Sequence, residues 1–311
     1  MRANLCFFVQ THRDPELILR LAKTLHRGSD TARVIIQHNF AAGHALDWTP
    51  FAELPRTHLF PASGPQIRAN FSCQMQPLLD VIDWLEREGL SYDWLVTLTG
   101  QDYPTISTPR MEAELAAASC DGFIRSWDVD SSANPWSWRK ARNRYHYRYR
   151  KLPSWTERAL RALRFATRVL PIHFYLDYGA YVGRRVLRTP FSDRFRLHGG
   201  WAWFSLRRAA VLYLRDFLAE NPDLVRHYQG TITPEESLVQ TVLINSGRFD
   251  LTNDDRRYID YSKAHRGSPR VLTEADVPML AAGNFHFARK FDPGVDLTVL
   301  DRIDRELLVA T

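Results

Sequence analysis

The chain has 311 residues, of which 45% are hydrophobic and 24% charged, and a net charge of +6. That length suffices for one large α/β domain or two small ones, and no run approaches the roughly 18 to 20 apolar residues of a membrane span. Three scattered cysteines, Cys6, Cys73 and Cys120, rule out a disulfide framework and a paired-cysteine metal site and fit a reducing compartment. Between Ser131 and Arg196, sixteen Arg and Lys face three acids, a surplus of thirteen that leaves the rest of the chain about seven negative. So local a positive field implies a polyanionic contact: nucleic acid, an anionic membrane surface or an acidic substrate.

In chain order, LCFFV (Leu5 to Val9) reads as a buried strand, and ELILRLAKTLHRG (Glu16 to Gly28) as a helix with Leu17, Leu21 and Leu25 on one face. The short apolar start runs into QTHRDP without a cleavage site, so no signal peptide is expected and the chain should stay in the cytoplasm. RVIIQH (Arg33 to His38) is a second strand, PLLDVIDWLEREG (Pro77 to Gly89) a helix, WLVTLTG (Trp94 to Gly100) a third strand and GFIRSW (Gly122 to Trp127) a fourth. Strands separated by helical patterns predict an α/β fold, a wound and mostly parallel sheet flanked by helices, with ligands outside the carboxyl ends of the strands. The polar clusters fall at those ends: QTHRDP with His12, then QHN, then GQDYP with Gln101 and Asp102. A nucleotide pocket requires such groups there, although the same residue types also make ordinary turns.

WSWRKARNRYHYRYRK (Trp136 to Lys151) interleaves basic and aromatic residues, a texture found in nucleic-acid binding. Tyr145, Tyr147 and Tyr149 also alternate with charges at period two, which is equally a strand with one aromatic and one charged face. WTERALRALRFATRVLP follows as a basic amphipathic helix with Leu160, Leu163 and Val169 on its apolar side, suited to an anionic membrane or to packing on its own protein. In LHGGWAWFSLRRAAVLYLRDFL, Gly199 and Gly200 permit a tight backbone, Trp201 and Trp203 offer platforms for a sugar face or a core, and Leu206 to Leu218 reads as a helix. TITPEESLVQTVLINS (Thr231 to Ser246) then poses a choice. Thr233, Pro234 and Glu236 spell a capping box ahead of an apolar helix, and a carboxylate fixed at a helix end also suits a general base. No repeat, low-complexity segment or linker breaks the chain, which reads as one domain over residues 1–311 with a basic aromatic insertion at about 131–196.

Four motifs in order, LVTLTGQDYPTIS, GGWAWFSL, TPEESLVQTVL and IDYSKAHRGSPRVLTEADVPML followed by FARKFD, resemble those of glycosyltransferase family 14. That family comprises the core-2/I-branching N-acetylglucosaminyltransferases and the peptide O-xylosyltransferases, and this chain looks like a bacterial-type soluble member. The resemblance implies a GT-A-like (Rossmann-like) fold and an inverting transfer of a sugar, N-acetylglucosamine ahead of xylose, from a UDP-sugar to a hydroxyl of a glycan or lipid-linked acceptor, with no metal or other cofactor. It places the catalytic base on Glu236 and the diphosphate contacts on Arg270 and Lys290, helped by Arg289. Gln101, Asp102 and His12 would line the donor side, and Trp203 and Gly200 the acceptor side. Glu235 would face solvent. The chemistry fits the residue types: one base takes the acceptor proton while fixed cations receive the charge of the departing diphosphate.

The chain departs from the family pattern in places. Gln37-His38-Asn39 stands where the family carries His-x-Asp, Ala69 and Asn70 replace a Trp-Gly pair, and the basic stretch from Arg139 to Arg168 has no counterpart. Asp128-Val129-Asp130 has the form of a manganese site in other GT-A enzymes, and the resemblance argues against it. The basic segment would then face an anionic acceptor or the inner membrane surface and not nucleic acid. Two other classes compete with this reading: a nucleic-acid-binding protein built on Trp136 to Lys151, and an inactive sugar-binding relative.

Overall fold

The computed structural model describes residues 2–40, 45–60, 69–168, 170–262 and 268–308. Thirteen strands are formed among them: β1 (Leu5–Thr11), β2 (Arg33–His38), β3 (Thr57–Phe60), β4 (Trp94–Thr99), β5 (Asp102–Pro104), β6 (Gly122–Asp128), β7 (Tyr147–Lys151), β8 (Ile172–Tyr175), β9 (Tyr181–Arg185), β10 (His198–Arg207), β11 (Leu251–Thr252), β12 (Arg257–Ile259) and β13 (Phe287–Arg289). A seven-stranded sheet has the order β11-β6-β10-β4-β1-β2-β3, and β12-β13-β5 and β7-β9-β8 make two small sheets. β1 pairs in parallel with β2 and β4, and β2 with β3.

Both faces of the large sheet are buried, which explains why its strands read as continuous apolar runs. Leu5, Phe7 and Val9 pack with Leu17, Leu21 and Leu25 of the helix Pro15–His26 and with Leu300 and Ile303 of the helix Thr298–Glu306. Cys6 and Phe8 point the other way, onto Met75, Leu78, Ile82 and Leu85 of the helix Phe71–Arg87 and Val211 and Leu214 of the helix Arg208–Glu220. The expected mostly parallel α/β sheet flanked by helices is therefore present, with strand boundaries within two residues of those expected.

Four local expectations change. The second helix begins at Phe71, six residues before the expected start at Pro77, because the Asn70 side chain accepts from the Ser72 N–H at 3.2 Å and caps it. The segment around Trp201 is a strand, β10, antiparallel to both β4 and β6, and its helix starts only at Arg208. Its register shifts between Gly200 and Phe204, so the Trp201 and Trp203 platforms ride on a bulge.

The basic run divides differently as well. Tyr145 ends a helix, Trp138–Tyr145, in which Ala141 and Tyr145 share a buried face and Ser137 caps Lys140 N–H at 3.2 Å. Only Tyr147 and Tyr149 keep the period-two strand, with Arg148 and Arg150 exposed between and beyond them. The expected long basic helix is an α-turn, Glu157–Ala162, passing into a 3₁₀ stretch, Leu163–Arg168. That change of winding leaves Leu160 buried and Leu163 exposed. Val169 lies outside the described residues.

Candidate functional site

A cleft of about 690 Å³ opens at the carboxyl ends of β1, β2 and β4. Each polar cluster picked out in the sequence contributes to its wall: Gln10 to Arg13 at the end of β1, Gln37 and Asn39 at the end of β2, and Gly100 and Gln101 after β4. The β10 bulge adds Ala202 and Trp203, the end of β13 adds Arg289 and Lys290, and Thr233, Glu235 and Glu236 form another wall. A second depression of about 500 Å³ lies at the opposite end of β4, between Gly89 and Arg208, whose guanidinium is already paired with Glu86.

The turn that carries Glu236 is held from several sides. Thr233 adopts a left-handed backbone (φ 50°), its N–H bonds Ala69 O at 3.0 Å and its carbonyl accepts from the Tyr145 hydroxyl at 3.0 Å. The expected capping box is not formed. The Thr233 hydroxyl donates to Ile232 O at 2.8 Å, Pro234–Glu236 is a 3₁₀ turn, and the α-helix Leu238–Ser246 begins two residues after Glu236. Ser237 anchors the junction by donating to His198 O at 2.7 Å. A capping box does occur in the chain, at Thr273 and Asp276.

Released from capping, Glu236 pairs through Oε2 with Arg144, and its Oε1 makes no hydrogen bond among the described residues. The Arg144 side chain is 6% exposed and its guanidinium lies 4.6 Å from the Trp136 ring centroid. Sequence reasoning missed Arg144 because it stands 92 residues away inside a run of similar cations. Its only local signal is the helical spacing that places Tyr145 and Ala141 inward. Glu235, expected to face solvent, has instead a buried Oε2 without a hydrogen-bond partner. Burial first, and the charge of Glu236 second, push its carboxyl up to about 8.

Other residues of the cleft lining are cationic. Arg289 lies 4.1 Å from the Trp203 ring centroid with its Nε 3.3 Å from Asp102 Oδ1, and Lys290 Nζ donates to Ser268 Oγ at 2.9 Å. Burial, then the positive charge of Arg13, lower the proton affinity of the Lys290 ammonium. Arg13 also faces the cleft and pairs with Asp292 at 3.1 Å. His12 and Gln101, two of the expected donor-side residues, line this cleft, with Gln101 Nε2 donating to Phe291 O at 3.3 Å.

Three expected contacts lie elsewhere. Asp102 is fully buried behind the wall, accepting from Thr99 N–H at 2.7 Å, so it orients Arg289 and does not face a ligand. Arg270 sits outside the cleft lining with its guanidinium committed to Asp276, at 2.7 and 2.9 Å, and to Asp260 at 2.8 Å. Gly200 is a packing position: a Cβ there would collide with the carbonyl of Arg125 and stand 2.5 Å from Gln240 Nε2. Lys263 to Gly267, part of the closing motif, lie outside the described residues. Asp128 pairs with Arg196 at 2.7 Å and accepts from Asp130 N–H at 2.9 Å, away from the cleft. Among the described residues no group of three or more His, Cys, Asp or Glu is arranged to hold a metal ion. Nor is any helix among them long and apolar enough to cross a membrane.

Comparison with known proteins places this geometry. Two Arabidopsis thaliana proteins are similar to the chain: beta-glucuronosyltransferase GlcAT14B, 27% identical over 257 residues, and beta-glucuronosyltransferase GlcAT14A, 26% identical over 268 residues. The matches cover 78% and 82% of this chain but 51% and 50% of the relatives, so the chain spans about half the length of the curated relatives it matches. Among solved structures, a Bacillus anthracis protein provisionally assigned as a glucose-1-phosphate thymidylyltransferase and crystallised with sucrose aligns over 80% of this chain and 85% of its own. Its identity is 8% and the TM-score 0.35, which supports no argument. Residues 79–280, which include the Glu236 turn, the β10 bulge and the GQDYP loop, match the Core-2/I-Branching enzyme family. This chain belongs to that family, and both of its matched relatives are glycosyltransferases.

Proposed function

We propose that the chain is an inverting, metal-independent glycosyltransferase that moves a sugar from a UDP-sugar to a hydroxyl of a glycan or lipid-linked acceptor. The observation that carries this reading is that one cleft is lined both by a carboxylate on a turn held by several hydrogen bonds and by a group of cations. Glu236 takes the proton of the acceptor hydroxyl as its oxygen bonds the anomeric carbon. The bond from that carbon to the diphosphate breaks, and Arg289 and Lys290, with Arg13 beside them, receive the charge that gathers on the leaving group. Arg144 keeps Glu236 from swinging away, and Trp203 offers the incoming sugar an apolar face. His12 and Gln101 border the donor, and fixed cations do the electrostatic work a divalent ion does elsewhere.

The donor is UDP-N-acetylglucosamine in this reading. A second donor, UDP-glucuronate, is favoured by the two matched relatives and by the fourth cation, Lys151, at the cleft wall. Calorimetric titration with UDP, UDP-N-acetylglucosamine and UDP-glucuronate in excess EDTA tests both. Binding in EDTA supports the cationic donor site, and the tighter sugar nucleotide identifies the donor. Binding only after manganese is added would overturn metal independence. With the donor known, Glu236→Gln should lower transfer by about 10²- to 10⁴-fold at unchanged donor affinity. Near wild-type transfer by that variant would place the base elsewhere.

A further inference from the structure

We infer that the lobe built from β7, β8, β9 and the helical segment between β7 and β8 docks on a bilayer rich in anionic phospholipid. Nine large apolar side chains are exposed among the described residues, and five of them lie between Trp155 and Leu187. Trp155 is 80% exposed, Leu187 95% and Phe165 65%, values that a free, water-facing loop has no reason to concentrate in one lobe.

The same lobe is rich in cations. Arg148, Arg150, Lys151, Arg184, Arg185 and Arg188 are exposed, and none pairs with an acid among the described residues. Arg148 even stands directly opposite Arg184 across the antiparallel β7–β9 pair. Like charges in register destabilise a sheet unless an anion screens them. A nucleic acid or an acidic glycan would satisfy the guanidinium groups and leave Trp155, Phe165 and Leu187 in water. A bilayer interface takes both, the cations at the headgroups and the apolar tips at the acyl boundary.

Lys151 belongs to this lobe and also lines the cleft, so docking brings the cleft mouth to the membrane. Resting on the proposed glycosyl transfer, the acceptor is then a saccharide carried on a lipid. The docking itself is independent of that reading.

The test is co-sedimentation of the full chain with vesicles of phosphatidylcholine alone and of phosphatidylcholine mixed with phosphatidylglycerol. The chain should pellet with the mixed vesicles and not with the neutral ones. Arg148→Gln and Arg184→Gln should each weaken partitioning by about fivefold at low salt. Trp155→Ser combined with Leu187→Ser, both exposed, should weaken it several-fold at unchanged charge and melting temperature. Glu236→Gln should pellet as the wild type does, which separates a failure of docking from a failure of transfer. The inference is overturned if the chain ignores both vesicles, or if the Trp155 and Leu187 variant binds like wild type. Binding of an oligonucleotide or heparin in preference to vesicles would likewise assign the surface to a polyanion.

Discussion

Arg144, itself buried, and Glu236, partly exposed at the cleft, form an ion pair between the basic segment and the turn at the head of the helix Leu238–Ser246. The pair excludes the capping role, since a carboxylate held by Arg144 cannot fold back on its own helix. Removing Arg144 leaves the Glu236 carboxylate without its partner but within reach of water in the cleft. Arg144→Met should therefore destabilise the protein by about 1–3 kcal/mol, the cost of losing a charged hydrogen bond. Adding Glu236→Gln to that background should recover part of the loss, measured as a double-mutant cycle in chemical denaturation. Additive losses would mean that the two side chains do not interact.

Arg270 and Lys290 separate stability from ligand binding. Arg270 is clamped by two aspartates outside the cleft lining, so Arg270→Ala should lower the melting temperature while leaving UDP affinity nearly unchanged. Lys290→Ala should do the reverse, weakening UDP binding by about 10- to 100-fold, the worth of one charge-assisted contact. A loss of UDP affinity in Arg270→Ala would instead mean that its guanidinium leaves the aspartates for the diphosphate.

Glu235 gives the stability a pH dependence of known sign. Its folded carboxyl titrates near about 8 while the unfolded one titrates in the ordinary range, so the folded state holds the extra proton between those values. Its contribution is fully present at acid pH and is lost as pH rises toward and through about 8. Glu235→Gln mimics the neutral form. It should match wild type in stability near pH 4 and exceed it by a few kcal/mol near pH 8. A constant difference across that range would show that burial does not hold the proton on.

Gly200 tests the β10 bulge. Gly200→Ala places a methyl group against the Arg125 carbonyl and against Gln240, whose Nε2 donates to Trp201 O at 2.7 Å. A destabilisation of about 1–3 kcal/mol is expected from overpacking. Because Trp203 rides on the same bulge, acceptor affinity should fall with it. An unchanged melting temperature would show that the bulge relaxes around the added carbon.

The parallel half of the sheet was legible because its strands are apolar runs ended by turn residues, and those same ends supplied His12 and Gln101 to the cleft. Glu236 was found through a motif, whereas its escape from capping depends on the left-handed Thr233, a backbone state that a Thr–Pro pair does not announce. β10 was read partly as a helix because Leu206 continues the apolar spacing of the helix beyond it. Only its pairing with β4 and β6 decides for the strand. Arg270 was expected at the diphosphate through the resemblance of its motif, which does not announce the tertiary clamp by Asp260 and Asp276. Arg144 could be picked out from its neighbours only by the tertiary structure, which buries one guanidinium of the run and leaves others in solvent.

At the ends of the basic lobe Val186 N–H bonds His146 O at 2.9 Å, and in mid-strand Tyr149 N–H bonds Gly230 O at 2.7 Å. Its tyrosines Tyr149, Tyr175 and Tyr181 form a small cluster of their own with Ala69 and Ile232, apart from the two large cores. A unit with so small a core of its own can open while the sheet stays folded, at a free energy well below that of global unfolding. Amide protons of β7 and β9 should accordingly exchange together and ahead of those in β1 and β4. Ile232 adjoins the turn of Glu236, so each opening of the lobe loosens one support of that turn, and whatever steadies the lobe steadies the carboxylate.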